Sequence, residues 1–202
     1  LEVRGVLMGI GPWVLARGLD PFKRGLLMRG VSKTCLNALR RRNLGGMSLS
    51  TLCLECGLCC DGTLFLHVGI SAAERERLVS LGIAVGTRRK HDVMWLPCGK
   101  LEGKCCTMYD ARPGGCRRFV CALGQRLERK EVTLDEARAQ VADMHARLGA
   151  LREVLPPAEG EPVLRHARAC IDSTTTPVSE VQLAAFKRVE ALRYDVFMPP
   201  PQ

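Results

Sequence analysis

The sequence predicts an α+β fold: a small irregular cysteine-cluster head with short strands, packed with two C-terminal α-helices. Three observations carry that expectation. Nine of the 11 cysteines fall between Cys53 and Cys121. Short apolar alternations lie among them, as strands require. The last third of the chain carries two apolar stripes at helical spacing, each behind a helix-start signal.

The elements follow in order. Asp61-Gly62 is a turn, after which Leu64, Leu66 and Val68 alternate with Phe65 and His67 as a short strand. Ser71 with Glu74 forms a capping box, opening a helix that runs to about Leu81 and stops at Gly82. Val93 to Leu96 reads as a second short strand entering Pro97-Cys98. Thr133 with Glu136 caps a long helix with Leu134, Ala137, Val141, Met144, Leu148, Leu151 and Leu155 on one face, ended by Pro156-Pro157. A polar connection follows. Thr176 and Pro177 then start a last helix with Val178, Val181, Ala185, Val189 and Leu192 on one face.

Composition bounds the rest. With 202 residues, 47% hydrophobic but only 4% aromatic, the chain can fill one core, chiefly with Leu, Val, Ala and Met. No apolar run reaches the roughly 18 residues that a membrane span needs. The stretch from Val6 to Ala16 is short and lacks a small-residue cleavage site, so the expected compartment is the cytoplasm, where thiols stay reduced. The formal charge is +9, but residues 1–46 hold nine Lys or Arg against Glu2 and Asp20, a net +7 that leaves +2 for everything after. The organisation read from this is a basic N-terminal extension over 1–46, disordered or ahead of an alternative start at Met47. A cysteine-cluster region over 47–128 and a helical region over 129–202 follow, the last two forming one domain.

The chemistry lies in the cysteines. Cys53, Cys56 and Cys59 repeat every third residue, Cys60 follows at once, and Cys98, Cys106, Cys116 and Cys121 supply four more sulfurs. Two thiolates separated by two residues can both reach one tetrahedral ion at a Zn–S distance of about 2.3 Å. Adjacent residues rarely chelate the same ion, so Cys60 is assigned to a second ion or to ligands from the far half. Eight thiolates make two closed four-sulfur sites, the number needed for two zinc ions. A structural zinc contributes about 10 to 16 kcal/mol of apparent folding free energy, whereas a buried free cysteine contributes no more than a small apolar side chain. The head is therefore expected to be metal-stabilised. Four thiolates overcompensate a divalent ion, and Lys100, Lys104, Arg112, Arg117 and Arg118 lie among the ligands to offset that charge. Pro113 holds Arg112 in extended backbone and helps fix its direction. Cys105 and His91 are additional candidate ligands, Cys105 also as a reactive thiol. His166 and Cys170, four residues apart, would share a helix face. Iron or an iron–sulfur cluster is the alternative to zinc, since soft thiolates bind either and CxxCxxC is a ferredoxin-like spacing.

CLECGLCC, Cys98 and the run CTMYDARPGGCRRFVC together resemble the YkgJ-like cysteine-cluster family, whose shared region is described as zinc- or iron-chelating. The resemblance covers about residues 50–125. It implies Cys53, Cys56, Cys59, Cys60, Cys98, Cys106, Cys116 and Cys121 as the ligand set, with Tyr109, Arg112, Pro113 and Phe119 at family-pattern positions and Tyr109 and Arg112 behind the ligands. The sequence departs from the pattern in having Cys105 beside Cys106, and Val120 where proline is usual. The family transfers no established activity, although some members are enzymes with an iron–sulfur centre.

Among function classes, a metal chelator of unassigned role is the reading the residues favour. An iron–sulfur redox or protein-modifying enzyme is the alternative, but the sequence offers no catalytic constellation: no Ser-His-Asp set, Gly-rich phosphate cradle or two-His-carboxylate triad. A zinc-dependent nucleic-acid binder would need basic and aromatic residues on one face, and beyond Met47 the net charge is small and aromatics are sparse. The expected partner is a metal ion. No protein partner is assigned.

Overall fold

The structure is a computed structural model and describes residues 48–174 and 177–198, all within a compact unit spanning Val31–Gln202. The basic extension, Met47, Cys35 and Thr176 lie outside the described residues. Those residues form α1 (Ser48–Cys56), β1 (His67–Gly69), α2 (Ala72–Ser80), β2 (Val85–Arg88), β3 (His91–Trp95), β4 (Leu101–Glu102) and β5 (Cys105–Cys106). A 3-10 turn over Tyr109–Ala111 leads to α3 (Gly114–Arg118), α4 (Ala122–Glu128), α5 (Leu134–Val154), α6 (Val163–Asp172) and α7 (Glu180–Leu192), and a π-helical turn over Arg193–Phe197 follows. The expected small α+β architecture is what the chain adopts.

The strands make two antiparallel sheets, one in the order β1-β3-β2 and the other pairing β4 with β5. Both expected strands exist but with shifted bounds. β1 starts only at His67, because Leu64 is already committed to the main core. β3 begins at His91 and pairs with a strand not anticipated, β2, through a turn in which Arg89 and Lys90 both have positive φ (48° and 68°). Glu74 does more than close the α2 capping box. One carboxylate oxygen accepts the Ser71 N–H (2.9 Å), while the other accepts the Gly114 N–H (2.6 Å) and ties the start of α3 to α2.

The long helix is as expected. Thr133 and Glu136 form its capping box, and Ala137, Val141, Met144, Leu148 and Leu151 are buried along one face. The region after Pro156-Pro157 differs from expectation. It contains α6, amphipathic with Leu164 and Ala167 buried, and the last helix starts at Glu180 behind a Ser179–Gln182 capping box, not at Pro177. Val181, expected on its buried face, is 63% exposed. α5 packs against α6 and α7.

The main core is shared between the two ends of the chain. Leu52, Leu58 and Leu64 from the cysteine region pack with Leu123, Met144, Leu151, Val189 and Phe197. A second cluster, Leu78, Ile83, Met94, Leu96 and Cys98, lies under the three-stranded sheet. A third, Leu54, Cys105, Cys106 and Tyr109, has Cys53 and Cys60 packed against it, so the cysteines are distributed over all three clusters. α1 is fixed on α5 by two contacts two turns apart. The Arg138 guanidinium pairs with both carboxylate oxygens of Glu55 (2.7 and 2.8 Å), and His145 reaches the Cys56 carbonyl.

Candidate metal centre

Each cysteine is placed by a local device. Cys53 and Cys56 stand three apart on the last turn of α1 and so share a face. Gly57, at φ +73°, ends the helix, and a Cβ there would lie 2.7 Å from the Lys104 carbonyl oxygen. Only glycine allows the first cysteine stretch to lie so close to the turn between β4 and β5. The chain then doubles back, with the N–H groups of Cys60 and Asp61 both donating to the Gly57 carbonyl (2.8 and 3.0 Å). Cys59 and Cys60 thus fall within one tight turn. Asp61 accepts the Thr63 N–H at Oδ1 (2.8 Å), and burial pushes its carboxyl up to about 6.

The second stretch is tied to the first by backbone. The Cys98 N–H donates to the Cys60 carbonyl (2.8 Å), and Cys106 sits on β5 opposite Leu101. Arg112 Nε donates to the Tyr109 carbonyl (2.8 Å), and its guanidinium carbon lies 3.5 Å from the centre of the Tyr109 ring, a cation–π contact. Tyr109 in turn hydrogen-bonds Cys53. Cys116 rides on α3, which approaches β1 so closely that a Cβ on Gly115 would lie 2.6 Å from the Gly69 carbonyl oxygen. Cys121 caps α4, its Sγ accepting the Gly124 N–H (3.3 Å) at the positive end of the helix dipole.

All eight of these cysteines are free thiols and all line one cavity of about 260 Å³. Tyr109 and Arg112 line it too, together with apolar side chains including Met94, Met108 and the edge-to-face pair Phe65–Phe119, whose ring centres are 4.6 Å apart. Among the described residues, no carboxylate lines the cavity and no three side chains are already converged as a closed ion cage. The donor set is thus all sulfur apart from His67, a soft set that fits zinc, iron or an iron–sulfur cluster and not magnesium or calcium.

The electrostatics divide the thiols. Burial pushes Cys53 up to about 11 and Cys56 up to about 12, and it raises Cys59 and Cys121 as well. After burial, Cys121 is a charge felt at Cys53, Cys56 and Cys59 alike. Burial also raises Cys98, and it pushes Cys116 up to about 11, with Cys98 and Cys106 adding to the shift. Cys60 and Cys106 are in direct contact: Cys60 keeps its proton and donates it toward Cys106, which is held below its ordinary value by receiving that bond. The Arg112 charge opposes the rise at Cys53 and Cys116 and lowers Cys106 further.

Two sequence candidates stand apart from this cavity. Cys105, expected as an additional ligand or a reactive thiol, is buried and disulfide-bonded, so it offers no free thiolate. His91 is exposed at the hairpin end of β3, opposite Arg88, and does not line the cavity. His166 and Cys170 do share a face of α6, with Sγ 3.7 Å from Nε2, but they lie outside the cavity. Sequence reasoning missed His145. It is half-buried, its Nε2 lies 2.8 Å from the Cys56 carbonyl oxygen, and burial holds it below the ordinary histidine value.

Fold and site together define a small α+β domain with a thiol-lined cavity. Residues 52–140 match the family model described as "CxxCxxCC: Putative zinc- or iron-chelating domain". No curated protein and no solved structure matches the chain. Among the described residues, no helix is long and apolar enough to cross a membrane.

Proposed function

We propose that this protein chelates two metal centres through eight thiolates: Cys53, Cys56, Cys59 and Cys121 around one, Cys60, Cys98, Cys106 and Cys116 around the other. The observation that carries the reading is that eight free thiols from two distant stretches face one cavity without a carboxylate among them. Packing supports the division for six of the eight. Cys56, Cys59 and Cys121 lie against the helical core, while Cys60, Cys98 and Cys116 lie against the cluster under the sheet; Cys53 and Cys106 share a third cluster with Leu54 and Tyr109, where the two sets meet. Zinc is the proposed metal, two ions per chain, with residues 47–202 as one domain. The reduced thiols suit the cytoplasm, although the disulfide at Cys105 stands against that compartment. With a net charge of only +2 after residue 46, nucleic acid is not the proposed partner.

One observation favours iron–sulfur clusters as a second reading. Tetrahedral zinc holds its sulfurs only about 3.8 Å apart, a geometry fixed by the Zn–S length, and such a cage is small beside a cavity of about 260 Å³. Anaerobic purification from cells without added metal, followed by elemental analysis and a visible spectrum, decides between them. Two zinc per chain and no visible band support the first reading. Absorption near about 400 nm with stoichiometric iron and sulfide replaces it with a cluster, the centre that the CxxCxxC spacing also suits.

A further inference from the structure

We infer that Arg112 is a positioning residue shared by both thiol sets, a single cation that lets two adjacent anionic centres be filled at once. This rests on the two-set reading above and goes beyond it by linking the sets. Two closed four-thiolate sites around divalent ions each carry two net negative charges, and in one low-dielectric cavity they repel each other. Among the described residues, Arg112 is the only Lys or Arg that lines the cavity. Its guanidinium has little freedom, being stacked on Tyr109 and bonded to the Tyr109 carbonyl, with Pro113 restricting its backbone. Tyr109 brings this cation to Cys53 in one set, since the two share a packed cluster and line the same cavity. Tyr109, on which the guanidinium stacks, shares a packed cluster with Cys60 and Cys106 of the other set, and Cys116 lines the same cavity.

The test uses reduced full-length chain, zinc as the probe, chelator competition for affinity, and cobalt–thiolate absorption to count sites. Cys121→Ser leaves the second set to be measured alone, and Cys98→Ser leaves the first. In each background Arg112→Met is expected to weaken zinc binding at least tenfold and to raise the pH of half-loading. Arg112→Lys, which keeps the charge, is expected to recover most of both. Helix content by circular dichroism is expected to be unchanged, which separates the effect from misfolding. Weakening confined to one background, weakening in neither, or a lysine variant no better than methionine overturns the shared role and leaves the two-set reading standing. A wild-type chain that takes up fewer than two zinc ions overturns both.

Discussion

His145 donates its Nε2–H to the Cys56 carbonyl oxygen at 2.8 Å, across 89 residues of chain. The carbonyl only accepts, so this nitrogen carries the proton, and burial holds the ring below the ordinary histidine value. Two turns earlier on α5, Arg138 holds Glu55. The long helix therefore grips α1 at the turn from which Cys53 and Cys56 project, and ties that side of the proposed metal centre to the helical core.

His145→Ala leaves the Cys56 carbonyl without its partner. The expected loss is about 1–3 kcal/mol of stability together with faster metal release from the Cys53 set, read by urea unfolding and by chelator-trapped release rates. His145→Gln, which keeps a donor, is expected to fall between wild type and alanine.

Gly57→Ala strains both φ and space, since the new Cβ meets the Lys104 backbone. We expect destabilisation of about 1–3 kcal/mol and reduced metal content as purified, checked by denaturation and elemental analysis. Gly149→Ala, inside α5 where a Cβ meets nothing within 4 Å, is the contrasting control, expected to raise stability by about 1 kcal/mol and leave metal content unchanged.

Glu74 gives an acid-side signature. Hydrogen bonds from the Ser71 and Gly114 N–H groups hold its carboxyl below the ordinary 4.5. A depressed carboxylate contributes stability that is complete above the unfolded value and is lost as pH falls through the lower folded value. Glu74→Gln keeps only one acceptor oxygen for these two N–H groups and is therefore expected to be less stable than wild type by about 1 kcal/mol near neutral pH. The gap is expected to close as pH falls below 4.5, and urea midpoints taken across that range test the sign.

Met144 is fully buried at the centre of the α5 face that joins the cysteine region to the helices. Met144→Ala is expected to cost about 2–5 kcal/mol, read as a fall in the urea midpoint at constant slope.

What the sequence made legible was local. Ser71 with Glu74 and Thr133 with Glu136 are short-range devices whose meaning does not depend on the rest of the fold, and both helices begin where those residues stand. The cysteine spacing likewise marked the eight thiols that share the cavity. Competing local signals were harder. Pro177 drew the last helix start away from the true capping box at Ser179 and Gln182. α6 went unread because Arg165, His166 and Arg168 make it look polar, although Leu164, Ala167 and Ile171 after Pro162 keep helical spacing. The β2–β3 hairpin turns on Arg89 and Lys90, residues that rarely take positive φ, in place of the usual Asn-Gly. His145 had no local signature at all, since its role exists only once α5 is folded against α1.

The central claim is two metal centres divided between two thiol sets. Metal content per chain, measured by elemental analysis on anaerobically purified wild type, Cys121→Ser, Cys98→Ser and Cys170→Ser, tests it most directly. The account predicts two zinc ions in wild type and in Cys170→Ser, and one in each of the other two variants. Loss of all metal in both single-set variants, or no bound metal in wild type, would contradict it.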